Sequence, residues 1–286
     1  MEYPVEVALA RQVPALPEGA GWWYEPKLDG DRGILWRRDT VRIQTRSGRD
    51  ATEQWIDIAT AAMDLPADTV LDGELVIWRE GRIDFGAVRS RASARGRRLA
   101  DLIHRHPASY AAFDCLMVAG HDLRARPYSE RRAALLKVLE PLGPPLQAVP
   151  ATDDIDVARV WFDALTSQGV EGLVAKRASS PYRTTGRVWD KVRHSETVDA
   201  DVVGYTGTRA RPKQLAVRLP DGRIALTQTL TTALAAQTAP LLTGAGPPGR
   251  ARTTAGDSYV TLPAGLVVEV AAGTTRHAVV TVTRVR

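Results

Sequence analysis

The chain has 286 residues, too many for one average domain and comfortable for two, and its 44 % hydrophobic and 25 % charged residues are the balance of a soluble globular protein. No apolar run reaches the roughly 18 residues of a membrane helix, Met1-Glu2-Tyr3-Pro4 lacks the basic and apolar regions of a secretory signal, and the single cysteine, Cys115, excludes an internal disulfide or a cysteine-rich zinc site. The net charge of +5 lies mostly in residues 196–286, which hold ten Lys/Arg against six Asp/Glu, so a polyanion partner and an ordinary solvated surface both remain open.

In chain order, the first two thirds alternate helical and strand-like runs. Glu53–Met63 predicts a helix, and Val70–Trp78 and Tyr110–Leu116 predict strands. Glu130–Leu139 predicts a helix capped by Ser129 just after Pro127, and Ile155–Gln168 predicts another. Gly172–Ala175 and Val188–Arg193 read as strands. This is an α+β pattern. Beyond residue 195 the helical runs nearly vanish. Ala200–Tyr205, Gln214–Arg218, Arg223–Gln228, Tyr259–Leu262, Val267–Ala271 and Val279–Val285 read as short strands. They are punctuated by Pro220-Asp221-Gly222 and the Gly/Pro-rich stretch Gly244–Gly256. Only Leu230–Ala239 reads as a helix, stopped by Pro240. Five or six short strands in about 90 residues suit a small barrel, with an OB-fold as the leading candidate. Domains are expected at 1–195 and 196–286.

The most informative segment is Trp22-Trp23-Tyr24-Glu25-Pro26-Lys27-Leu28-Asp29-Gly30-Asp31-Arg32. If it is extended, the period of two puts Glu25, Lys27 and Asp29 on one face; Gly30 permits a tight turn and Arg32 opens the next strand. A lysine between carboxylates and beside an arginine suits phosphate chemistry, because a neighbouring cation favours the neutral, nucleophilic amine. Spacing alone leaves a strand end with a surface salt bridge equally open. In Trp189-Asp190-Lys191-Val192-Arg193, alternation puts Lys191 and Arg193 on one face, where they could grip one triphosphate or form an exposed amphipathic edge. Glu74, inside an apolar run, needs a cation or an ion-pair partner, and Glu171 before Gly172 carries the same argument. Phe113 alone reads as core. Five arginines in ten residues, Arg89, Arg91, Arg95, Arg97 and Arg98, form either a phosphate-tracking surface or a solvated loop, and Arg209, Arg211 and Lys213 form a second such group.

Taken together these segments resemble the motif series of ATP-dependent DNA ligases. Glu25-Pro26-Lys27-Leu28-Asp29-Gly30-Asp31-Arg32 resembles E-x-K-x-D-G-x-R, and the K-x-D-G core is shared with RNA ligases and capping guanylyltransferases. Arg46-Ser47-Gly48, Leu71-Asp72-Gly73-Glu74, Ala112-Phe113-Asp114, Arg126-Pro127-Tyr128 with Arg131-Arg132, Glu171-Gly172-Leu173-Val174-Ala175-Lys176 and Trp189-Asp190-Lys191-Val192-Arg193 resemble the remaining elements, in order, over residues 22–193.

The resemblance implies a nucleotidyltransferase domain of antiparallel sheets and helices, followed by an OB-fold β-barrel. It implies that Lys27 attacks the α-phosphate of ATP, carries AMP, and passes it to the 5′-phosphate of a nick, which the 3′-hydroxyl then attacks. Arg32, Lys191 and Arg193 would offset phosphate charge, Arg46 would bind phosphate, Glu25 would lie beside the adenine, and Phe113 and Val174 would flank the ring. Glu74 would touch ribose or metal, and Glu74 and Glu171 would hold Mg²⁺. The arginine groups would grip nicked double-stranded DNA. The implied protein is cytoplasmic, monomeric, free of membrane, and similar to the short bacterial ligase C type that serves repair, with no extra N-terminal DNA-binding domain and a hinge over Val192–Val198. One departure stands out: the family ends in a basic element with R-x-P, whereas Arg276-His277-Ala278 has alanine for proline, with Arg284 and Arg286 beyond. The rival readings are an RNA ligase, a capping-type enzyme, and a catalytically silent nucleic-acid-binding protein.

Overall fold

The alternating runs of the first two thirds pair into two sheets. The computed structural model describes residues 1–193, 196–242, 249–262, 265–272 and 280–285. The chain divides into two units, Met1–His194 and Ser195–Arg286. In the first unit, one sheet has the strand order Ala10–Gln12, Trp189–Arg193, Val170–Arg177, Trp22–Leu28. The other runs Leu146–Ala148, Ser109–Val118, Thr69–Val76, Asp31–Arg37, Val41–Thr45. Both are mixed, not antiparallel throughout as expected. Ala10–Gln12 lies parallel to Trp189–Arg193, and Leu146–Ala148 lies parallel to Ser109–Val118. The second pairing follows from the helix Tyr128–Leu139, because a parallel neighbour needs a crossover connection.

Strand Asp31–Arg37 is buried on both faces. Leu35 joins the core of Ile43, Trp55, Ile58, Leu71 and Tyr110, while Ile34 and Trp36 face a second cluster with Leu116, Tyr182 and Trp189. That second cluster draws on both sheets.

Several element boundaries differ from expectation. The helix over Glu53–Met63 is a single α segment, Ile56–Ala61, between two 3-10 turns. Ser129 is no cap. The helix starts at Tyr128 after Pro127 with no side-chain cap, and the Ser129 N–H donates to the Ala178 carbonyl at 3.0 Å. The strand over Val70–Trp78 ends at Val76, and Trp78 leaves the sheet for a short hairpin with Arg82–Ile83. Among the described residues, no helix is long and apolar enough to cross a membrane.

In the second unit the long strand Glu196–Thr208 pairs with Arg211–Arg218 on one side, and with both Ser258–Thr261 and Val267–Ala272 on the other. Arg250–Arg252, inside the stretch expected to be a turn, is a seventh strand because it pairs with Ser258–Thr261. Thr227 bridges to Val280, and the Gln228 N–H donates to the Val280 carbonyl at 2.7 Å, so the sheet curls until its far strands meet. Val202, Leu215, Val217, Val268, Val270 and Val282 fill its inside. The helix is Thr232–Thr238, capped by the Thr231 hydroxyl, with Pro240 in the following 3-10 turn. Gly244 with the residues up to 248, the start of the strand placed at Val279, and Arg276, His277, Ala278 and Arg286 lie outside the described residues, as do residues 194 and 195 of the expected hinge.

Candidate active site

Strand Trp22–Leu28 ends two residues before Asp31–Arg37 begins, and the corner Asp29-Gly30 lies against Thr69–Val76. The expected reason for glycine here was a tight turn. The observed reason is close approach: a Cβ on Gly30 would fall 2.3 Å from the Leu75 carbonyl oxygen. The Gly30 N–H donates to Glu74 Oε1 at 3.2 Å, which ties the lysine corner to the D-G-E strand.

This corner opens into a cleft of about 1340 Å³, larger than one nucleotide needs. Lys27, Glu25, Arg32, Arg46, Glu74 and Phe113 line it, and so do Val174, Lys191 and Arg193. Glu171 does not, but it is paired to two residues that do: it accepts from Lys27 Nζ, and its other oxygen lies 3.3 Å from Arg193 Nη1. Asp29 also lines the cleft, and burial followed by the nearby Glu171 charge raises its carboxyl above the usual range. Burial, then the Arg193 and Lys27 charges, lower the Lys191 ammonium below its usual range against the opposing Glu171 charge, so an arriving anion would favour its charged form.

At one end of the cleft the charges are buried. The Glu25 carboxylate is 2.7 Å from Lys176 Nζ and 3.9 Å from Arg132, and it accepts from the Tyr128 hydroxyl. Lys176 Nζ also donates to the Phe113 carbonyl at 2.8 Å and stands over the Phe113 and Trp189 rings. With Val174 alongside, this end offers apolar walls and one fixed donor–acceptor pair, the features that hold a flat heteroaromatic base. Lys176 and Tyr128 carry part of this arrangement and had been given no role. Lys176 could have been found from its strand, because it lies two residues beyond Val174 and so shares its face. Nothing in the sequence pointed to the Tyr128 hydroxyl.

Arg32 lines the cleft with its charge already matched. Nε and Nη2 donate to Asp72 at 2.9 and 2.5 Å, Nη1 donates to the Ala8 carbonyl at 2.6 Å, and Nη2 also reaches the Tyr182 hydroxyl at 3.2 Å. Held by Asp72 on the neighbouring strand of its own sheet and by the loop residues Ala8 and Tyr182, it is a buttress more than a free cation aimed at phosphate.

Among the described residues, no group of three or more His, Cys, Asp or Glu side chains forms a metal-ligating cluster. Two carboxylates nonetheless flank Lys27, and burial pushes the Glu74 carboxyl up to about 7, with Lys27 and Arg32 only partly offsetting it. A carboxylate so short of positive charge fits Mg²⁺, which binds through one or two carboxylates and completes its shell with phosphate and water.

The basic stretch lies on two short helices, Phe85–Ser93 and Gly96–Arg105, with Arg95 in the two-residue link between them. Arg89, Arg95 and Arg98 line the cleft; Arg97 is exposed away from it. Arg91 is a correction. It is fully buried and ion-paired to Asp57, because its helix has only one inward face and Arg91 falls on it with Val88. Arg209, Arg211 and Lys213 are exposed at the hairpin of the second unit, where Thr208 pairs with Arg211.

Residues 8–193 match the family described as the ATP dependent DNA ligase domain, and the chain belongs to that family. It is 38 % identical over 204 residues to DNA ligase C2 of Mycolicibacterium smegmatis, covering 71 % of this chain and 57 % of that protein. It is likewise 38 % identical over 211 residues to DNA ligase C of Mycobacterium tuberculosis, covering 71 % and 58 %. The chain thus spans less than two thirds of the length of these relatives. Its structure is similar to that of mycobacterial DNA ligase D complexed with ATP and MES, with a TM-score of 0.57 and 26 % identity over 98 % of this chain and 94 % of that one.

Proposed function

We propose that the chain is an ATP-dependent DNA ligase that seals nicks between a 5′-phosphate and a 3′-hydroxyl through AMP carried on Lys27. The observation that carries this reading is that one cleft is lined by Lys27, by a buried end built on Glu25, Lys176, Phe113 and Val174, and by the cations Lys191 and Arg193. Lys27 attacks the α-phosphorus of ATP, an N–P bond forms, and pyrophosphate leaves. Glu171, which accepts from Nζ, orients the amine. Lys191 and Arg193 offset charge on the phosphate oxygens, and Glu25 accepts from the adenine amino group. Arg46, exposed on the turn after Val41–Thr45, binds phosphate of the nick. Glu74 and Glu171 would hold Mg²⁺, which when bound would supply charge compensation at the phosphates.

We assign residues 1–195 to the adenylation domain and 196–286 to an OB-fold. The second assignment is supported by the curled sheet and the Thr227–Val280 bridge. Arg209, Arg211 and Lys213 add a second phosphate-binding edge for DNA. A repair role in the bacterial cytosol and a monomeric state rest on the ligase C resemblance alone.

The test is AMP loading followed by mass spectrometry, run with sealing of a 5′-phosphorylated DNA nick and of the same nick with an RNA strand. Lys27→Ala should lose loading and ordinary sealing by at least about a thousandfold while still slowly sealing a pre-adenylated nick. Undiminished sealing of an ordinary nick by that variant would sink the assignment. Sealing confined to RNA would turn the reading to an RNA ligase, and sealing of neither nick would turn it to a capping-type enzyme or a silent nucleic-acid-binding protein, the latter excluded by a mass gain of one AMP.

A further inference from the structure

Of the five arginines in the basic stretch, one faces the opposite way from the rest. Arg91 Nε donates to the Gln54 carbonyl at 2.8 Å, Nη1 donates to the His106 carbonyl at 3.0 Å, and Nη2 donates to Asp57. The Trp55 ring lies 4.8 Å below the guanidinium carbon. Asp57 also accepts from the Ala108 N–H at 3.0 Å. One side chain therefore ties the segment 54–57 to helix Phe85–Ser93 and to the end of helix Gly96–Arg105.

A nine-residue helix is marginal by itself, and on this one only Val88 and Arg91 are buried. Its rotation is therefore set by Val88, which sits in the core with Ala87 and Ala92 packed against it, together with Arg91. At 3.6 residues per turn Arg89 points about 200° away from Arg91, so seating one inward turns the other outward. The Arg91 carbonyl also accepts from the Ala94 N–H at 3.0 Å, fixing the corner from which Arg95 projects. Arg89, Arg95 and Arg98 make no ion pair among the described residues and line the cleft, whereas Arg91 is paired and does not.

We propose that Arg91, through its buried clamp on Gln54, Asp57 and His106, is a positioning residue that holds Arg89 and Arg95 at the rim of the Lys27 cleft for the phosphates of the DNA substrate. The proposal rests on the DNA ligase reading. Arg91 touches no substrate itself. Its function is to fix, with Val88, the rotation of the helix that sets the direction of these charges. The fork of a guanidinium is needed because three acceptors on two segments, Gln54 and Asp57 on one and His106 on the other, must be met at once, which an ammonium on a flexible stem does poorly.

The experiment compares wild type, Arg91→Lys, Arg89→Ala/Arg95→Ala, and the combination of all three. Each is tested for binding to nicked DNA across a salt series and for AMP loading with ATP alone. Arg89→Ala/Arg95→Ala should weaken DNA binding by about tenfold and flatten its salt dependence. Arg91→Lys should melt cooperatively, load AMP within about twofold of wild type, and weaken DNA binding. The combination should bind no more weakly than Arg89→Ala/Arg95→Ala, because Arg91 would have nothing left to position. If Arg91→Lys does not fold, Asp57→Asn takes its place with the same expectations. Independent, multiplying penalties would overturn the proposal, as would loss of AMP loading in step with loss of binding. Unchanged DNA binding in Arg89→Ala/Arg95→Ala would overturn the DNA-binding reading of this face and the proposal with it. If that variant weakens while Arg91→Lys does not, only the positioning role falls.

Discussion

Two walls of the same cleft carry cations and hold them in different ways. On the strand wall most charges are paired, Lys27 and Arg193 with Glu171, Lys176 with Glu25, and Arg32 with Asp72, while Lys191 makes no ion pair among the described residues. On the opposite wall Arg46, Arg49, Arg89, Arg95 and Arg98 line the cleft without an ion pair among the described residues. The first arrangement is fixed before substrate arrives and is shielded from salt by burial. The second stays solvated at little cost and gains when a polyanion displaces its counterions. Chemistry at a single phosphorus needs the first, and holding a long duplex needs only the second. The comparison breaks if changes on the two walls cannot be told apart by stability and by salt.

The largest effect is expected where pairing is deepest. Glu25 and Lys176 are 2 % and 1 % exposed. Lys176→Met would leave the Glu25 carboxylate with the Tyr128 hydroxyl and an Arg132 at 3.9 Å as its remaining partners. Removing one member of a buried pair strands the other, so unfolding in urea should show a loss of about 3 kcal/mol. A loss below about 0.5 kcal/mol, the level of an ordinary surface change, would mean that the strand wall is no better fixed than the helical one.

The contrast was only half legible in the sequence. Lys27, Glu74 and Glu171 were singled out by the resemblance of their segments to a motif series, since spacing alone leaves each of them open to an ordinary ion pair. What the alternation could not give was pairing across strands. Arg32 meeting Asp72, or Tyr128 meeting Glu25 from 103 residues away, depends on registers fixed only by the folded sheets. Arg91 was misplaced for a related reason: five arginines in ten residues look alike until a short helix turns one of them inward. The parallel edge strands were missed because each is three residues long and pairs through a distant part of the chain.

A smaller effect separates function from stability on the strand wall itself. Burial raises the Glu74 carboxyl to about 7 from an ordinary 4.5, so the folded chain keeps this proton where the unfolded chain has lost it. Stability from this group is full below pH 4.5, falls as pH rises toward 7, and stays low above that. The shift caps the loss near 3 kcal/mol, and the partial exposure of the side chain brings it to about 1–2 kcal/mol. Glu74→Gln, which cannot ionise, should therefore gain that amount in urea unfolding at pH 8, gain little at pH 4.5, and lose AMP loading. An equal gain at both pH values would refute the electrostatic cause.

Arg98→Ala should have the least effect on the fold and the clearest dependence on salt. The side chain is exposed, makes no ion pair among the described residues, and sits on the cleft side of helix Gly96–Arg105. Its removal should leave stability within about 0.5 kcal/mol, since neither a buried group nor a cap is lost. Affinity for nicked DNA should nonetheless fall by a few fold at low salt, and the slope of log K against log salt should drop by about 0.9, the signature of one phosphate contact. If affinity falls while the slope stays the same, Arg98 meets DNA by shape or hydrogen bonding instead of counterion release. If stability falls with affinity, Arg98 is a structural residue like Arg91, and the helical wall is built by the same rule as the strand wall: charge held in place by pairing rather than left for the substrate to complete.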